Sequence, residues 1–156
     1  FSDVEVSGTE EVLTNWEEIK KQEKPERTSV LSGISKSQPA LMTAYKISKK
    51  AVKVGFEWPS IESLKDCIKS EFKEFDEAAK LGNKEQMEDE LGDILFSIVN
   101  LARWYHIEPE VALSKANKKF IKRFQKMEEL AQKDLSEYTL DEYDALWKEA
   151  KKALRS

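Results

Sequence analysis

Two carboxylate pairs, Glu71/Glu74 and Glu90/Asp93, are each spaced i, i+3, which puts both members of a pair on one flank of a helix. Both lie in the stretch from Ile68 to Asn100, whose other residues suit a packed interior. From Leu91 to Ile107, apolar residues (Leu91, Ile94, Leu95, Phe96, Ile98, Val99, Leu101, Trp104, Tyr105) occupy most of the helical circumference, which predicts a helix buried on several sides. A single polar row, Glu90, Asp93, Ser97 and Asn100, runs along it. A buried charge without a partner is strongly unfavourable, so this row is expected to face a metal, a ligand or a wet cavity.

The turn between the pairs falls at Leu81 to Lys84, and antiparallel folding would set them opposite each other. Four carboxylates so placed repel unless divalent cations neutralise them, and an all-oxygen set selects hard ions, Mg2+ first and Mn2+ as its substitute. Di-iron bundles need Glu-x-x-His, whereas Arg103 stands three residues before the only histidine, His106. Mg2+ held by few carboxylates takes its remaining ligands from substrate phosphates, so phosphoryl chemistry follows. The plainer alternative is a solvated acidic helix face.

Helices must position these groups. Charged residues at 36% with five Gly and four Pro favour long helices over a turn-rich β fold. Pro39 opens a helix closed by Gly55, Ser60 caps a second that Gly82 stops, and Asn83 with Gln86 caps a third reaching about His106. Pro109 starts a fourth, carrying Leu113, Phe120, Phe124, Met127 and Ala131, and Thr139 with Glu142 caps a last one. The expected fold is all-α: an antiparallel four-helix-bundle core (about 39–54, 60–81, 84–106 and 109–132) with additional terminal helices. Residues 1–38 read as an arm and connector, with a helix after Thr9 carrying Val12, Leu13, Trp16 and Ile19, and residues 39–156 as the catalytic domain. Beginning at Phe1, the sequence is expected to be part of a longer chain.

A net charge of -4 offers no general footprint for nucleic acid, so none is expected as a partner, and no apolar run is long enough for a membrane helix. The one cysteine, Cys67, excludes an internal disulfide and reads as a packed small residue; a reducing, cytoplasmic setting is expected. Lys115, Lys118, Lys119, Lys122, Arg123 and Lys126 form a basic run without acidic interruption, suited to phosphates or to a solvated face. Asn117 interrupts the Leu113-Phe120-Phe124 stripe and is expected to be hydrogen-bonded inside.

Taken together, Asn15-Trp16-Glu17 with Lys20, Pro39-Ala40-Leu41, Gly55-Phe56-Glu57-Trp58-Pro59, Glu90-Leu91-Gly92-Asp93-Ile94-Leu95-Phe96, Val99-Asn100-Leu101-Ala102-Arg103 and Asn117-Lys118-Lys119-Phe120 followed by Arg123-Phe124 resemble the C-terminal catalytic domain of MazG-type nucleoside triphosphate pyrophosphohydrolases, members of the all-α NTP pyrophosphohydrolase group. The resemblance implies an Mg2+-dependent hydrolase converting NTP or dNTP to NMP and pyrophosphate, acting as a homodimer or higher homo-oligomer with a house-cleaning role. It gives Glu71, Glu74, Glu90 and Asp93 the metal role, with Glu71 and Glu74 catalytic and Glu74 the candidate to orient or deprotonate the water. It places Lys119, Arg123 and Trp147 at the nucleotide, and Asn117 is grouped with them. The family signature begins Glu-Glu, but here the first position is Ser70, and a Lys often found three residues earlier is Cys67. The rival reading is therefore a non-catalytic helical module with a decayed site, binding nucleotides or proteins.

Overall fold

A computed structural model describes residues 29–155. Its long elements are all helices: α1 (Ala40–Lys53), α2 (Ile61–Leu81), α3 (Lys84–Trp104), α4 (Pro109–Leu130) and α5 (Leu140–Arg155), with a 3-10 turn at Leu135–Glu137 before α5. No strand occurs among the described residues, so the all-α class is found as expected. The expected helix after Thr9 lies outside the described residues. Two compact units divide between Leu101 and Ala102, in the last turn of α3.

The boundaries follow from local chemistry. The Ser60 side chain accepts from the Ser63 backbone N–H while the Ser63 hydroxyl bonds the Ser60 N–H, a reciprocal cap that fixes the start of α2. α2 ends where Gly82 takes φ +68, a left-handed conformation that glycine adopts without a Cβ clash. Asn83 Oδ1 then accepts from the Gln86 N–H at 3.1 Å to start α3. A short turn with a cap on each side is what folds α2 and α3 into a hairpin.

In the first unit, Leu64, Ala78, Ile94 and Val99 are buried. Burying a side chain such as Leu64 contributes about 1.5–3 kcal/mol. The prediction that α3 is buried on several sides fails within the single chain: Leu91, Leu95, Phe96 and Ile98 remain between 37% and 50% exposed. The periodicity identifies those faces as apolar, but no described element of the chain covers them.

In the second unit, Met127 of α4 packs with Leu146 and Ala150 of α5, ringed by Leu130, Leu135, Tyr143 and Trp147. The Thr139 N–H donates to Glu142 Oε1 at 3.0 Å and the Glu142 N–H to Thr139 Oγ1 at 3.2 Å, completing the expected cap of α5. Lys133 adds an ion pair to Glu142 at 2.9 Å. The expected interior place for Asn117 is corrected: Asn117 is exposed, as are Leu113 and Phe120, because buried packing in this unit gathers around Met127 at the other end of α4.

Candidate metal centre

The hairpin brings three carboxylates together. Glu71 of α2 and Glu90 and Asp93 of α3 each offer an oxygen within 4.8 Å of the others. Glu71 and Glu90 are half-buried and Asp93 is exposed. Glu74 is exposed and stands outside this close group, yet it is near enough to raise the Glu90 carboxyl. The pairs thus meet across the turn, with Glu74 at the margin.

Their electrostatics match that crowding. Burial raises the Glu71 carboxyl above the ordinary range, and the charges of Glu74 and Asp93 add to the rise. Glu90 is pushed up to about 7, first by desolvation, then by the close approach of Glu74 and the charges of Glu74, Glu71 and Asp93. The Oε2 atoms of Glu71 and Glu90 are buried and meet no hydrogen-bond partner. A buried carboxylate oxygen needs a donor, a proton or a cation. An all-oxygen set with two such atoms fits a hard divalent ion such as Mg2+ or Mn2+.

Beside Asp93 opens a groove of about 760 Å3 lined by Asn83, Glu85, Gln86, Glu88, Asp89, Gly92 and Asp93. Its four acidic side chains would repel a polyphosphate unless cations intervened. Cys67 sits one turn before Glu71 and hydrogen-bonds Ser97; burial first, then the charges of Glu71 and Glu74, push its thiol up. That disfavours a thiolate and agrees with a packed, unreactive cysteine. Ser70, where the signature has its first Glu, is exposed.

Farther along the polar row, Ser97 is buried and Asn100 is half-buried. Asn100 Oδ1 accepts a 2.6 Å hydrogen bond from the hydroxyl of Ser48, a buried residue of α1. Sequence reasoning missed Ser48. The available signal was a serine on the α1 row Leu41, Tyr45, Ser48 and Val52, whose other members carry larger side chains.

The expected nucleotide residues all lie in the second unit. Lys119 and Asn117 are exposed on α4, while Arg123 is half-buried with its guanidinium carbon 5.8 Å from the Trp147 ring centroid. Phe120 lies 5.5 Å from the same ring, tilted by 42°, and 6.0 Å from Phe124. Arg123 and Trp147 are thus brought together, whereas Lys126, at the end of the basic run, pairs with Glu129 at 2.6 Å.

Residues 59–127 match the model of the MazG nucleotide pyrophosphohydrolase domain. Over 87% of its length the chain is 44% identical to the nucleoside triphosphate pyrophosphohydrolase/pyrophosphatase MazG of Thermotoga maritima, of which it spans 54%. It is 35% identical to the nucleoside triphosphate pyrophosphohydrolase of Escherichia coli K12 over 97% of its own length and 60% of that protein. It is also 43% identical to the uncharacterized protein YabN of Bacillus subtilis, covering 33% of it. The chain therefore spans little more than half of the first two relatives. Among the described residues, no helix is long and apolar enough to cross a membrane.

Proposed function

Through its residues 59–127 the chain belongs to the MazG nucleotide pyrophosphohydrolase family, and from that premise we propose that it is an Mg2+-dependent hydrolase cleaving NTP or dNTP between the α and β phosphates to give NMP and pyrophosphate. The observation that carries the metal part is the pair of buried, partnerless oxygens on Glu71 and Glu90 within reach of Asp93. Glu71, Glu90 and Asp93 hold the ion, with Glu74 completing the set. When bound, the ion supplies counter-charge to the phosphates and lowers the pKa of an attacking water. Glu74 orients or deprotonates that water, a role supported by its exposure and its closeness to Glu90.

Lys119 and Arg123 neutralise phosphate charge, with Asn117 as a polar contact. Trp147 holds the Arg123 guanidinium against its ring, limiting the orientations from which Arg123 can reach an anion. Assembly as a homodimer or larger homo-oligomer is part of the reading. Its support is the row Leu91, Leu95 and Ile98 on α3, which shares one face by its spacing and is half-exposed in the single chain.

The test is to incubate the chain with common NTPs and dNTPs and Mg2+, separating NMP plus pyrophosphate from NDP plus phosphate. NMP and pyrophosphate are expected. NDP would overturn the cleavage position. Absence of both turnover and metal-dependent nucleotide binding would overturn the enzyme in favour of a non-catalytic module.

A further inference from the structure

Glu90, Asp93, Ser97 and Asn100 occupy an arc of roughly 80° on α3 at about 100° per residue. Rotating α3 by one residue position would swing Glu90 and Asp93 away from Glu71 and disperse the oxygens that now lie within 4.8 Å of one another. Something must fix that rotation. Buried Ile94 and Val99 restrain it in part, but Leu91, Leu95, Phe96 and Ile98 are all half-exposed in the chain. A side chain that has no close-packed partner does not penalise a turn of its helix.

Two polar contacts do discriminate between rotations. Ser97, one turn beyond Asp93, is hydrogen-bonded to Cys67, which is itself one turn before Glu71 on α2. Asn100, on the next turn of α3, accepts the 2.6 Å hydrogen bond of Ser48 from α1. Ser48 is only 3% exposed and is the most deeply buried side chain of α1, in a place where a hydroxyl is unfavourable unless bonded. Turning α3 would break this hydrogen bond, a directional penalty that an apolar contact would not impose.

We infer that the Ser48–Asn100 hydrogen bond is a positioning pair for the metal carboxylates: it locks the rotation of α3 on α1 and so holds Glu90 and Asp93 turned toward Glu71. Neither residue touches substrate or ion in this role; both act through α3. The inference rests on the metal reading of the three carboxylates and adds to it the residues that keep them aligned, much as outer hydrogen bonds orient metal ligands elsewhere.

The test measures Mn2+ affinity of the metal-free protein by titration calorimetry, alongside melting temperature, for wild type, Ser48→Ala, Ser48→Thr, Asn100→Leu, Ser48→Ala/Asn100→Leu and the core truncation Val99→Ala. Ser48→Ala and Asn100→Leu should each weaken Mn2+ binding about 10-fold or more. The double variant should be no weaker than either single one, as expected for residues acting as one unit. Ser48→Thr keeps the hydroxyl and should stay within about 3-fold of wild type, given a pair effect of about 10-fold. Val99→Ala, which removes buried volume from the same helix, should melt lower yet bind Mn2+ as wild type does. Wild-type affinity in both Ser48→Ala and Asn100→Leu would overturn the pairing while leaving the metal site standing, and so would an equal loss in Val99→Ala. Wild type that binds no Mn2+ would overturn the metal reading itself, and the inference with it.

Discussion

Glu71 on α2 and Glu90 on α3 each bury an Oε2 atom without a hydrogen-bond partner, close enough together to share one ion with Asp93. Replacing one of the two oxygens by an amide nitrogen keeps the shape and removes the charge and a ligand atom. Glu71→Gln should therefore lower turnover by at least ~100-fold, since even outer hydrogen-bond partners of metal ligands are worth 10–100-fold. Its far-ultraviolet circular dichroism should match wild type. Turnover at the wild-type rate would remove Glu71 from the site.

The same crowding makes the metal-free protein sensitive to pH. Glu90 has its carboxyl raised from 4.5 to about 7, and Glu71 is raised in the same direction. A group raised on folding contributes stability that is fully present below its unfolded pKa and is lost as pH rises through the folded value. The window is therefore from 4.5 to about 7: in EDTA, the melting temperature should fall as pH climbs through it. Mn2+ at about 100 times its Kd should add about 2.7 kcal/mol at neutral pH and recover the loss. A melting temperature flat across that window would contradict the crowded, partly protonated cluster.

Glu142 predicts the opposite slope. Hydrogen bonds from the Thr139 N–H, then Lys133 and the Thr139 hydroxyl, hold its carboxyl down at about 2. A depressed carboxyl contributes stability above its unfolded pKa, and that contribution is lost as pH falls through the folded value. The second unit should lose this increment between pH 4.5 and about 2. In Glu142→Gln the reciprocal hydrogen bond survives without the charge, so acid titration followed by far-ultraviolet circular dichroism should show a shallower decline over that range.

Much of this was legible in the chain itself. Ser60, Gly82, Asn83 and the Thr139–Glu142 pair mark helix ends because each supplies a specific atom or conformation that a helix terminus needs, and the structure uses all of them. Glu71, Glu90 and Asp93 stood out because charge amid apolar periodicity needs compensation, and they do converge. The surroundings of the helices were less legible. Periodicity says that Leu91, Leu95 and Ile98 share an apolar face, not which body covers it, and in the single chain nothing described does. Asn117 shows the same gap from the other side, since the stripe it interrupts is exposed along the first turns of α4. Ser48 left only a faint signal, a serine among the larger side chains of its α1 row, because the partner that explains it is distant in sequence.

The exposed face of α3 gives the assembly reading a direct test. Leu95, 50% exposed at the middle of the Leu91-Leu95-Ile98 row, can accept a charge without disturbing its own chain's core. Leu95→Lys should shift the protein to monomer in light scattering at micromolar concentration, while helicity stays intact. Its melting temperature should then become independent of protein concentration, as mass action requires once association no longer contributes to stability. An unchanged molar mass would place any interface elsewhere.

Arg123 and Trp147 divide the nucleotide reading into charge and orientation. The guanidinium lies 5.8 Å from the indole centroid, a contact worth about 0.5–1 kcal/mol at an exposed site. Trp147→Phe keeps an aromatic face for Arg123 and should raise the nucleotide KM only slightly. Trp147→Ala frees the guanidinium and should raise KM by roughly 2–5-fold, the equivalent of that contact, with kcat little changed. Arg123→Lys keeps the charge but not the planar fork that grips a phosphate through two N–H groups, and should raise KM more than Trp147→Ala does. The Ala and Phe variants at 147 together separate a nucleotide effect from a packing effect: Phe120 also contacts this ring, so a stability loss should appear in melting for the Ala variant whether or not nucleotide binds here. If Trp147→Ala melted lower but kept the wild-type KM, Trp147 would be a core residue of the α4–α5 hairpin, and Arg123 would have to orient without it.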